Sequence, residues 1–180
     1  LMKNIYLSDL KQKELSIHQD NIGYYKIFNS HILPYIHKDD IQFWTRIQCA
    51  QICQVEKLSS KGYLFYNQFF ILNHCLTTDT KYSSIYEAEL NFGFSKNLAE
   101  PQIKSYAFDE LIFFITSYRS TLNQVECHQQ LKKQLSKDDC IRLFNHSKLT
   151  TKIFIKLIGS SETSYHNSRK KTPLEESYDE

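Results

Sequence analysis

The chain has 180 residues, of which 41% are hydrophobic and 14% aromatic, and its 22 Lys and Arg against 20 Asp and Glu leave a net charge of +2. That length can bury a core without covalent staples, and 12 Tyr and 12 Phe against 4 Gly and 3 Pro argue for a folded, strand-rich body and exclude general disorder. The charge is too small for a protein whose binding rests on a broad basic surface, so any nucleic-acid contact must be local.

Residues 1–38 carry scattered apolar positions (Ile5, Leu7, Leu10, Leu15, Ile17), then Tyr24, Tyr25 and Phe28 and a break at Pro34. They read as an N-terminal extension with a short strand or helical turn. Leu1 precedes Met2, which points to an internal fragment or a cloning remnant. From Phe43 to Glu56 the odd positions are Phe43, Thr45, Ile47, Cys49, Gln51, Cys53 and Val55, and the even ones include Arg46, Gln48, Gln54 and Glu56; that period of two predicts a long strand. A helix competes there, because Asp39 and Asp40 could cap it and Trp44, Ile47 and Ala50 could share a face.

Ser59 to Gly62 reads as a turn, and Tyr63 to Leu76 as a second extended segment forming a hairpin with the first. Tyr86, Ala88, Leu90, Phe92 and Phe94 alternate with Glu87, Glu89, Asn91 and Gly93, predicting a strand over 85–94 with one buried face. Gln102 to Phe108 reads as a short strand running into a helix over Asp109–Leu122, with Asp109 as its N-cap. Weaker helical patterns cover Val125–Leu135 and Asp138–His146, and Ile153, Ile155 and Leu157 alternate in a last strand over 152–158. Beyond Gly159 apolar residues are sparse, so 159–180 is expected as a flexible polar tail behind one domain at 1–158.

The expected fold is thus mainly β with helices, a small β-barrel of five strands with a helix between strands 3 and 4. That order resembles an OB-fold. More narrowly it resembles the C-terminal OB domain of the large subunit of replication protein A and of the large subunit of the telomeric CST complex. The matching residues are Tyr86 and Leu90, then Phe108, Asp109 and Glu110 at the helix entry, within roughly residues 40–158. The resemblance implies a non-enzymatic domain in a replication- or telomere-associated single-stranded-DNA-binding complex, acting chiefly in subunit assembly. It also implies sibling small OB-fold subunits as partners, single-stranded DNA as a second ligand, and the nucleus. The replication family's four-cysteine zinc ribbon has only His74 and Cys75 to match it, so no metal or other cofactor is expected.

If side chains on the barrel strands stack bases and neutralise phosphates, the candidates are Trp44 with Arg46 and Lys104 with Tyr106, since alternation sets each aromatic beside a cation. The other reading of these residues is packing for Trp44 and ordinary surface for Tyr106. Cysteines 49, 53, 75, 127 and 140 are odd in number and irregular in spacing, which favours a reducing compartment and free thiols. Cys127 and His128 are adjacent, a poor arrangement for a nucleophile and its base on a helix. The seven histidines form no ligand pair, the acidic pairs Asp39–Asp40 and Asp138–Asp139 read as caps, and no Gly-rich phosphate loop is present. No apolar run approaches a membrane span. The rival function class is a bacterial protein–protein interaction domain, toxin-neutralising or a secreted effector; a cysteine hydrolase around Cys127 is the remote third.

Overall fold

The computed structural model describes residues 2–10, 13–37, 39–58, 62–76, 89–95 and 98–174. The strands are β1 (Met2–Tyr6), β2 (Glu14–Ile17), β3 (Ile52–Lys57), β4 (Gly62–Phe65) and β5 (Glu89–Phe94). The helices are α1 (Leu7–Leu10), α2 (Ile22–His31), α3 (Asp40–Ala50), α4 (Phe69–Leu76), α5 (Glu100–Ser117), α6 (Gln124–Gln134), α7 (Lys137–Phe144), α8 (Thr151–Leu157) and α9 (Glu162–Asn167). Two compact units result, one from residues 1–25 and 38–110, the other from 26–37 and 111–180.

The expected β-barrel is overturned. Helix predominates among the described residues, and the strands form one open sheet in the order β1-β5-β3-β4-β2. Its pairings are mixed: β1 with β5 and β3 with β4 antiparallel, β2 with β4 and β3 with β5 parallel. Closure would require β1 to meet β2, and these are the two ends of the order.

Two segments read as strands are helices, for a common reason. In α3 the buried side chains are Trp44, Thr45 and Gln48, a spacing of one and four that only a helix gathers on one side. The alternation that suggested a strand was accidental over this stretch, and the true strand β3 begins only at Ile52. In α5 the buried positions Ile103, Ala107, Phe108 and Leu111 recur at helical spacing, so the predicted strand at 102–108 and the helix after it are one continuous helix. Pro101 sits in its first turn, where its missing N–H costs nothing, and Asp109 lies mid-helix and is no cap. The strand predicted at 152–158 is α8, whose buried Phe154, Ile155 and Ile158 again follow a spacing of one and four.

The extended reading of 63–76 holds only for β4, which does pair antiparallel with β3; Phe69 onward is α4. The turn at 59–61 and the first half of the strand predicted at 85–94 lie outside the described residues. Where a polar tail is expected, α9 forms, with Tyr165 and Ser168 buried and the Leu174 N–H bonded to the Pro34 carbonyl at 3.2 Å.

The first unit packs one face of its sheet. Ile5, Leu90, Phe92, Cys53, Val55, Tyr63 and Phe65 point to the same side and are covered by Leu10 and by Ile71 and Leu72 of α4. Each such side chain contributes about 2 kcal/mol on burial. Edge-to-face pairs tie neighbouring strands, Tyr63 with Phe92 at 5.1 Å and Phe65 with Phe92 at 5.8 Å. Asn21, fully buried, donates through its side-chain amide to the carbonyls of Tyr66 and Ile103, locking the segment after β4 to the start of α5. In the second unit Phe28 meets Phe114 edge to face at 5.1 Å, and α6 packs against α9 around His128, Phe154 and Tyr165.

Candidate functional site

The four side chains singled out as nucleic-acid contacts do not form two aromatic–cation pairs. Residues two apart on a helix point in nearly opposite directions. Trp44 is accordingly buried at 4% exposure while Arg46 on α3 is exposed. Lys104 is bound to Glu100 one turn earlier at 2.6 Å, and Tyr106 is half-buried on α5. What alternation missed is that Phe43, 55% exposed, lies three residues from Arg46 on α3, a spacing at which helical neighbours share a side.

The candidate chemical groups have structural tasks. Cys127 is fully buried, its thiol pointing to the His31 carbonyl at 3.7 Å and pushed up to about 12 by desolvation, with the Glu126 charge adding to it. Among the described residues no base is hydrogen-bonded to it. His128 is engaged elsewhere: its Nε2 faces the Leu149 carbonyl at 3.2 Å, its Nδ1 the Tyr165 hydroxyl at 2.7 Å, and its ring stacks on Phe154 at 4.8 Å. A carbonyl can only accept, so Nε2 carries the proton and Nδ1 accepts from Tyr165. Burial lowers the histidine from its ordinary value of 6.5, keeping it neutral. Cys49 lies on α3 and Cys53, fully buried, on β3, with Cys49 raised to about 11 by burial. Among the described residues no group of three His, Cys, Asp or Glu side chains is placed to hold a metal.

Among the described residues Glu110 is the carboxylic acid moved furthest from its ordinary value. Its carboxylate accepts from the Gln48 side-chain amide at 2.7 Å, from the Phe69 N–H at 2.7 Å and from the Gln68 N–H. Withdrawal from water raises it, these three donors lower it, and desolvation prevails at about 7. Gln68 holds a left-handed φ of 66°, which turns its own N–H and the next toward that carboxylate at the entry of α4. Gln48 completes the arrangement by accepting from the Ile71 N–H at 3.0 Å. All of this receives the free N–H groups of a helix end.

A different place in the first unit is open to a ligand. A cavity of about 320 Å³ is lined by Lys3 of β1, Lys13, Lys57 of β3 and Tyr63 of β4, with Asn4 and Asp9 beside them. The register explains it. Lys3 pairs with Phe92 and Lys57 with Tyr63, so both lysines lie on the sheet face that carries the core, at the end where β1 begins and β3 finishes. Sequence reasoning passed over them because they are isolated lysines whose strands become neighbours only through the crossovers. A further exposed group lies on the opposite face: Met2, Tyr6 and Ile52 are 65%, 51% and 42% exposed. Gly93 pairs with Met2, and Ile52 Cγ2 lies 2.7 Å from where a Cβ on Gly93 would stand, so the isoleucine lies over the glycine toward β1.

Among the described residues no helix is long and apolar enough to cross a membrane. No protein-family model and no curated protein matches the chain.

Proposed function

We propose that the chain is a non-catalytic interaction module that assembles with a protein partner through the β1 edge of its sheet. The observation that carries this is the exposed apolar pair Met2 and Tyr6 on the outer face of the terminal strand β1, with Ile52 of β3 reaching over Gly93 toward it. An edge strand offers unpaired backbone groups as a template for another chain, and exposed apolar side chains beside it add affinity that salt does not screen. The structural employment of Cys127, His128 and Glu110 also favours binding over catalysis. The partner is either a subunit of a replication- or telomere-associated complex in the nucleus or, on the rival reading, a bacterial protein; its identity separates the two.

Affinity isolation with the full chain and with a Met2→Glu, Ile52→Glu variant is the direct experiment. The proposal expects one partner at fixed stoichiometry that survives moderate salt and is lost from the variant. Equal recovery by both, or release of the partner by salt alone, overturns it. Single-stranded DNA is the second reading, favoured by Phe43 and Arg46 standing exposed one turn apart on α3. Titration of a labelled oligonucleotide at two salt concentrations decides it, since phosphate contacts weaken steeply with salt.

A further inference from the structure

We infer that the lysine-lined cavity of the first unit is a binding site for a small phosphate monoester. Strand alternation places apolar residues at every other inward position of β1, β3 and β4, yet positions 3 and 57 on that face are lysines. Lysines there gain nothing for the core, and among the described residues neither they nor Lys13 has an ion-pair partner. Three ammonium groups around one cavity repel one another in the empty state. An anion between them reverses that cost.

The lining specifies the ligand further. Three lysines against the single carboxylate of Asp9 leave a surplus of two positive charges, which a phosphate monoester near neutral pH matches and a monocarboxylate does not. Tyr63 is 7% exposed, and its hydroxyl has no hydrogen-bond partner among the described residues although it lines the cavity. A largely buried tyrosine of this kind is a donor held ready for an oxygen acceptor. Asp9 and Asn4 suit the hydroxyl or amino groups of the organic part. A volume of about 320 Å³ lies at the small end of ligand sites, enough for a compact phosphorylated molecule rather than a polymer. This site faces away from Met2 and Ile52 on the sheet and does not depend on the partner proposed above.

Isothermal titration of the full chain with ribose 5-phosphate, ribose, inorganic phosphate and a 5′-phosphorylated oligonucleotide tests the inference. Ribose 5-phosphate is expected to bind at one site per chain and inorganic phosphate more weakly at the same site, with ribose silent. Lys3→Gln and Lys57→Gln should each weaken the sugar phosphate about tenfold, as loss of one charge-assisted hydrogen bond does. Tyr63→Phe should weaken it severalfold, and Lys148→Gln, an exposed lysine of the other unit, should leave it unchanged. Silence of both ribose 5-phosphate and inorganic phosphate overturns the site. So does equal binding by the two lysine variants, whose exposed side chains can be changed without loss of fold. Binding of the oligonucleotide alone overturns the small ligand in favour of a nucleic-acid end.

Discussion

The helices of the second unit and α4 of the first solve the same problem in opposite ways. The helices α6, α7, α8 and α9 each begin with a side chain from the residue just ahead: Asn123, Ser136, Thr150 and Ser161 accept from the N–H three positions on. The first N–H groups of α4 are instead received by Glu110, some forty residues later, and by Gln48 on α3. A local cap is replaceable one helix at a time. The remote cap ties α3, α4 and α5 to one carboxylate, so its failure should be felt in all three.

Breaking the remote cap gives the largest expected effect. Glu110→Ala leaves the Gln68 and Phe69 N–H groups and the Gln48 amide without their acceptor, and should cost about 4 kcal/mol, each orphaned donor contributing on the order of 1 kcal/mol or more. Chemical denaturation of the variant at pH 6 measures it. A loss near the ordinary surface range, about 0.5 kcal/mol, would mean that water or another group takes over the helix end.

The pH dependence of the two units sharpens the contrast. Glu110 is raised from 4.5 unfolded to about 7 folded, so between those values the folded state holds the proton more tightly. Its contribution is therefore fully present below 4.5 and is lost as pH rises through 7, on the order of 3 kcal/mol in all. Glu110→Gln should flatten this slope. His128 tilts the other way: its folded value is lowered from 6.5, so the unfolded chain takes up the proton first and stability falls as pH drops below 6.5. Hydrogen exchange read separately at α4 and at α6 should show opposite pH trends. Parallel trends would remove one of the two assignments.

His128→Phe should cost about 2 kcal/mol, since the ring still stacks on Phe154 while the Tyr165 hydroxyl and the Leu149 carbonyl lose their partner. The accompanying pH slope below 6.5 should vanish with it. A variant that loses stability but keeps the slope would place the titration on another histidine.

The same contrast explains what could be read from the residues in advance. The helices predicted at Val125–Leu135 and Asp138–His146 are α6 and α7, and the acidic residues read as a cap include Asp139 of the α7 capping box. Their signals lie within four residues of the helix start. At 43–56 apolar residues fell by chance on alternate positions, and α3 has no side-chain cap bond to announce it. Thr150 was a local signal for α8 that the alternation of Ile153, Ile155 and Leu157 outweighed. The candidate site lay further out of reach: Lys3 and Lys57 become neighbours only because β5 is inserted between β1 and β3, an order that no local pattern encodes.

Removing a local cap should be the mildest of these changes. Ser136 accepts the Asp139 N–H at 3.1 Å, while the Asp139 carboxylate accepts the Ser136 N–H at 3.1 Å and its hydroxyl at 2.7 Å. Ser136→Ala deletes the hydroxyl but leaves the Asp139 carboxylate on the backbone N–H, and Arg142 stays 3.4 Å from the same side chain. The expected loss is about 1 kcal/mol, read by thermal unfolding, with no change at α4 in hydrogen exchange. Equal loosening of α4 and α7 would show that the two units unfold as one, and the distinction between replaceable and shared caps would lose its energetic meaning.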